Sequence, residues 1–210
     1  MTKYNVRRLI VAPHCDDESI GCGGLLAKYP EDSGVIVCAR PDDVREKEFE
    51  AARDILGYSF RHHLQLLDGS IGDDMASLVG HLDDALNVLQ PEELYLPYPS
   101  VHQDHIAAYE AGIRSARLSM SGGHHYVPNV YVYDVAAYDL NLYPSDLRWN
   151  VFECLTEQQV DAKEEAVHTY GSQMVTGPHP MNGVKDSARM LGASRKMAFA
   201  EQYALVRQVR

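Results

Sequence analysis

Leu9-Ile10-Val11-Ala12-Pro13-His14-Cys15-Asp16-Asp17-Glu18 runs from four apolar residues through a proline and an imidazole into three consecutive carboxylates. A short apolar run closed by proline reads as a buried parallel strand that hands the chain to a polar loop. Val35-Ile36-Val37-Cys38 and Leu94-Tyr95-Leu96, the latter closed by Pro97, repeat the form, and His62 to Leu67 is a weaker instance. Helical patterns lie between them: Ser19 to Lys28, Asp43 to Leu56 ahead of Gly57, Met75 to Leu89 ahead of Pro91, and Gln103 to Leu118. This alternation predicts an α/β fold, a doubly wound, Rossmann-like and mostly parallel sheet with helices on both faces. In the strand order 3-2-1-4 the first and fourth strands are neighbours, and ligands sit outside their carboxyl ends. The loops after Ala12 and Leu96 are therefore where a site is expected.

Beyond Gly122-Gly123 the pattern is less regular. Asn129 to Val135 and Asn150 to Cys154 read as strands, and Glu157 to Tyr170 and Ser187 to Leu205 as helices. Gly171 to Gly183, with Gly177-Pro178-His179-Pro180, reads as a loop able to fold over a site. With no repeat and no polar linker, residues 1–210 are expected to form a single domain, 118–210 extending the sheet and capping the crevice. No apolar run approaches the ~18 residues of a membrane helix, so no membrane partner is expected. Nineteen Lys and Arg against 30 Asp and Glu give a net charge of −11, which repels a phosphate backbone and argues against nucleic acid. Cys15, Cys22, Cys38 and Cys154 form no C-x-x-C pair, and no signal segment opens the chain. Free thiols and a cytoplasmic setting are the expectation.

The second loop reads His102-Gln103-Asp104-His105. An imidazole and a carboxylate from the first loop plus an imidazole from the second would leave a fourth position on zinc for water, a catalytic pattern. The competing reading makes Asp16, Asp17 and Glu18 helix caps and first-turn acids. Capping does not need three carboxylates, however, and three in a row repel one another unless a cation or a raised pKa relieves them. Gly21-Cys22-Gly23-Gly24 lacks the Gly-x-Gly-x-x-Gly spacing of a dinucleotide site, so those glycines are expected to let the first helix lie close to the sheet. No Gly-x-Ser-x-Gly elbow is present either.

Together these two loops, with Arg45-x-x-Glu48, Ala51-Ala52, Leu56-Gly57, Leu67-Asp68-Gly69, Tyr170-x-Ser172-Gln173 and Ala200-Glu201, resemble the PIG-L/LmbE-like family of zinc-dependent N-deacetylases over nearly the whole chain. The resemblance implies His14, Asp17 and His105 as ligands of Zn2+, or of another divalent metal. It implies Asp16 as general base, His102 as the group that stabilises the oxyanion or helps the amine leave, and Arg45 as a substrate contact. Asp104 would orient an imidazole, taken to be that of His102. The implied reaction removes an N-acetyl group from a small-molecule amino sugar, such as N-acetylglucosamine, or a sugar conjugate. Two alternatives stand beside it: hydrolysis of another amide conjugate, and a non-catalytic metal- or carbohydrate-binding module on the same scaffold. Self-association is left open.

Cys15 and Gln103 replace prolines usual in the family, and Ser100 stands where some members place a tyrosine, for which Tyr98 is a candidate substitute. Cys15 is expected to be a bystander beside the metal. His62-His63 and His124-His125 are read as structural, His179 as lining the substrate mouth, and Tyr138, Tyr143 and Tyr170 as packing residues.

Overall fold

The apolar runs and the helical patterns become alternating elements in a computed structural model that describes residues 4–120, 122–135 and 143–210. In chain order they are β1 (Arg8–Ala12), α1 (Asp17–Lys28), β2 (Ser33–Ala39), α2 (Asp43–Leu56), β3 (Phe60–Leu66), α3 (Met75–Leu89), β4 (Glu93–Pro97) and α4 (Gln103–Ser115). Then come β5 (Asn129–Tyr133), β6 (Trp149–Leu155), α5 (Glu157–His168), α6 (Val184–Ala193) and β7 (Phe199–Arg207). All seven strands form one sheet in the order β3-β2-β1-β4-β5-β7-β6. The first five positions run parallel, and β7 lies antiparallel to both of its neighbours.

Successive residues of a strand point to opposite faces, and this alternation divides the core. Ile10 and Ala12 of β1 join Val35 and Val37 of β2 under α1, α2 and α5. Leu9 and Val11 join Ile36 and Cys38 under α3 and α4. With both faces covered, β1 and β2 are buried along their whole lengths, whereas β3, at the sheet edge, is half-exposed. The glycines of α1 do bring the helix close: a Cβ on Gly21 would lie 2.2 Å from the Tyr133 ring, and one on Gly24 2.3 Å from Leu155.

One element differs from the sequence expectation. The helix expected over Ser187 to Leu205 stops at Ala193, and Phe199 to Arg207 is instead the strand β7. Its Ala200, Tyr203 and Ala204 are buried between two strands rather than along a helix stripe. Tyr138 lies outside the described residues. His124 and His125 hold the backbone carbonyls of Ser115 and Pro91 through Nε2, a structural use.

Candidate active site

β1 and β4 pair in parallel, Arg8 with Glu93 through Ile10 with Tyr95, so the loops leaving their carboxyl ends open side by side. The three carboxylates of the first loop have separate tasks. Asp17 Oδ2 accepts the His14 backbone N–H at 2.9 Å, closing the loop on itself. Glu18, fully buried, accepts the hydroxyls of Ser19 and Tyr170, both at 2.7 Å. Asp16 stands at the N-cap of α1, yet its side chain makes no cap hydrogen bond, and its φ of 130° is one that non-glycine residues rarely adopt. Such backbone costs ~1–3 kcal/mol and persists only where the surroundings enforce it. Here it turns the carboxylate into the cleft, where Arg45 Nη1 reaches Asp16 Oδ2 at 3.3 Å and the Cys15 carbonyl at 2.5 Å.

Around Asp17 Oδ2 stand His14 Nδ1 at 3.3 Å and His105 Nε2 at 3.5 Å. One ligand atom from each of His14, Asp17 and His105 falls within 4.8 Å of the others, and the same holds for His14, His102 and Asp104. Both sets offer two imidazole nitrogens and a carboxylate oxygen, the donors of an open zinc site; what separates them is the carboxylate, and the set of His14, Asp17 and His105 is the better candidate. Asp104 is instead committed around that set: its Oδ2 lies 3.0 Å from His14 Nε2 and accepts the Gly69 N–H, and its Oδ1 accepts the Ile71 N–H. A carboxylate on the far nitrogen of a ligating imidazole fixes ring and tautomer. The ring engaged by the Asp104 carboxylate is thus His14, where the sequence pointed to His102; His102 Nδ1 receives the Asp104 backbone N–H.

The protein's own charges shift these groups in opposite senses. Burial opposes protonation of His14, but the hydrogen bond and charge of Asp17, followed by Asp104 and Asp68, raise its pKa to about 9. Burial lowers His105 instead, with Asp17 opposing. Asp17 itself, although buried, is held below the usual carboxylate range by His105 and His14. Burial and then the charge of Asp17 push Asp16 well above it, against Arg45. Burial likewise pushes the Cys15 thiol up, and its side chain packs in the core, as suits a bystander.

These groups line an open cleft of about 320 Å³. Its lining combines His14, Asp16, Asp17, Arg45, Asp68, His102 and His105 with Val135, Gln173, His179 and Met181 from later in the chain. An adjoining cleft of about 280 Å³ continues past Arg45 to Arg40 and Asp42. Asp68 lines both, its Oδ1 3.2 Å from His14 Nε2, and was not among the residues singled out from the sequence. Its one signal was the Leu67-Asp68-Gly69 segment after a strand. Tyr98 is not at the cleft: it is buried, and its hydroxyl donates to the Tyr143 carbonyl. Ser100 Oγ accepts the His102 N–H.

A family model described as GlcNAc-PI de-N-acetylase, PIG-L, matches residues 9–116, which contain both loops. A relative from Escherichia coli K12 described as uncharacterized deacetylase YaiS is 24% identical over 180 residues, covering 78% of this chain and 90% of the relative. The conserved protein TT1542 from Thermus thermophilus superposes with a TM-score of 0.80 at 27% identity, covering 98% of this chain and 96% of the other. GalB, a 4-carboxy-2-hydroxymuconate hydratase from Pseudomonas putida KT2440, superposes with a TM-score of 0.75 at 19% identity, over 97% of each chain. At that identity the likeness to GalB is one of fold, and one fold serves more than one reaction.

Proposed function

The chain belongs to the PIG-L family, and from that membership we propose that it is a metal-dependent N-deacetylase, hydrolysing the acetamide of a small amino sugar or sugar conjugate to acetate and a free amine. The observation that carries this reading is the pairing of the His14, Asp17 and His105 donors with a half-buried carboxylate, Asp16, that holds none of them and faces the same cleft. A zinc ion, or another divalent ion, on those three donors would lower the pKa of a water toward ~7 and polarise a carbonyl.

The chain's own residues do the remainder. Asp16 takes the proton from the attacking water as the carbon–oxygen bond forms. His102, beside the same cleft, donates to the developing oxyanion. The amine leaves only once protonated, so as the carbon–nitrogen bond breaks, Asp16 or His102 delivers a proton to nitrogen. Asp104 keeps the His14 ring aligned through Nε2, and Arg45 keeps Asp16 aimed by gripping both its carboxylate and the Cys15 carbonyl. The rest of the Arg45 fork and Asp68 line the cleft, where they suit the hydroxyls of a sugar. Free Cys15, Cys22, Cys38 and Cys154 support a reducing, cytoplasmic setting. Among the described residues no helix is long and apolar enough to cross a membrane.

His14→Ala and His105→Ala are expected to fold and to lose bound metal, measured by mass spectrometry of the native protein alongside circular dichroism. Undiminished metal content in both variants would place the ion elsewhere.

A further inference from the structure

The residues that line the cleft come from two parts of the sequence. Every residue assigned to chemistry lies between His14 and His105, inside the stretch matched by the family model, residues 9–116. Val135, Gln173, His179 and Met181 lie beyond it, and only Gln173 and His179 carry polar side chains. The early group holds the chemistry and, in Arg45 and Asp68, part of the sugar contact; the polar side chains of the late group are unassigned and face the same cleft.

His179 is held in place from three directions. Pro178 and Pro180 restrict the backbone on either side. The ring caps the 3-10 turn Pro180–Gly183, Nδ1 accepting the Met181 N–H at 3.4 Å, and Met181 is buried in the core. Asn182 Nδ2 ties the turn back to the carbonyls of Val175 and Gly177. With Nδ1 an acceptor, the proton of the neutral ring sits on Nε2, which makes His179 a hydrogen-bond donor at the cleft. Gln173 is held as firmly. Its Nε2 donates to Ser172 Oγ, and Ser172 donates through Oγ and N to the two carboxylate oxygens of Glu48 on α2, the helix that carries Arg45. That arrangement leaves Gln173 Oε1 as an acceptor in the cleft that His179 also lines.

We propose that His179 is a specificity-determining residue that donates from Nε2 to a hydroxyl of the amine-bearing part of the substrate, with Gln173 Oε1 accepting from the same region. A hydroxyl both accepts and donates, so it satisfies such a lining, whereas an apolar amine portion would bury both groups unpaired. This deepens the deacetylase reading and rests on it.

The test compares wild type, His179→Ala and His179→Gln on methyl N-acetylglucosaminide and on N-acetylcyclohexylamine, which has the acetamide and a ring but no hydroxyls. His179→Ala is expected to raise KM for the sugar about 3- to 10-fold, the effect of one hydrogen bond, with kcat within about twofold. N-acetylcyclohexylamine is expected to be used by His179→Ala at least as well as by wild type, because the unpaired donor is gone, and His179→Gln, which keeps a donor, is expected to recover most of the sugar KM. An unchanged sugar KM, an equal loss on both substrates, or a loss confined to kcat would overturn the assignment. Long-range 1H–15N spectra give an answer that does not depend on turnover. A ring protonated on Nε2 whose signals shift on adding methyl N-acetylglucosaminide is expected, and a ring protonated on Nδ1 overturns the donor role. Absence of acetate release by the wild-type chain would instead count against the deacetylase reading itself, and is distinct from either result.

Discussion

Asp16→Asn is expected to keep its metal and to lose turnover by about 10²- to 10⁴-fold, the usual contribution of a positioned general base. The substitution preserves shape. An Asn Oδ1 can still accept from Arg45 Nη1, so the grip that aims the side chain survives, and the unusual backbone at φ 130° is left in place. None of the three proposed metal donors is touched, because His14, Asp17 and His105 bond one another and Asp104 rather than Asp16. What is removed is the ability to take a proton, together with the charge that faces Arg45. Metal content equal to wild type together with lost turnover would separate a base from a ligand. Full turnover would remove Asp16 from the proton path, and parallel loss of metal would make it part of the metal site.

Glu201→Gln is expected to destabilise the fold by about 3–5 kcal/mol, the cost of stranding one partner of a buried ion pair. Glu201 and Lys163 are 3% and 7% exposed and 2.7 Å apart. The carboxylate is fully used: Oε1 accepts Lys163 Nζ and the Gly24 N–H, and Oε2 accepts the Tyr203 hydroxyl and the Leu25 N–H. Gly24 permits this approach, since a Cβ there would stand 3.0 Å from the Glu201 carboxyl. One side chain on β7 thereby joins α1, α5 and the strand itself, fixing the helix that begins at Asp17. An amide in its place deprives the buried Lys163 ammonium of the carboxylate it bonds and puts donors against donors. Urea unfolding should show a lower midpoint with an unchanged slope, the sign of lost stability rather than altered compactness. A midpoint within error of wild type would mean that the pair is solvated or readily replaced.

What could be read from the chain before its structure depended on how local each signal is. α2 and α3 begin and end where expected because their boundaries are written in adjacent residues. Asp42 caps Val44 and Arg45, Gly57 takes the left-handed turn at φ 77°, and Asp74 caps Ser77. Three of the four early strands were short apolar runs, with β3 the weaker signal, and their parallel order followed from connection rules. The last strand was missed for the opposite reason. Ala188, Leu191, Ala200 and Tyr203 continue an apolar spacing that suits a helix, and the break between them is tertiary. Gly192 meets the Phe199 backbone at 2.6 Å, measured from where its Cβ would be, and Lys196 turns the chain at φ 60°.

The site divides along the same line. Ligand types crowded into His14 to Asp17 and His102 to His105 were visible as composition, and parallel pairing of β1 with β4 brings them together. Which oxygen faces which nitrogen was not visible. The spacing of Asp104 favours its neighbour His102, whereas the fold turns its carboxylate across the crevice to His14, 90 residues away in sequence. Asp68 and Gln173 reach the cleft only through the positions of β3 and the late loop, which no periodicity encodes.

The most direct measurement is acetate release from N-acetylglucosamine, its glycosides and its nucleotide conjugates by the same preparation in three states: as isolated, stripped by chelator, and reloaded with zinc. Release from at least one of these compounds that disappears on stripping and returns on reloading is the result predicted by a metal held on His14, Asp17 and His105. Release that continues undiminished in the stripped protein, or none from any compound by the fully loaded protein, would contradict it.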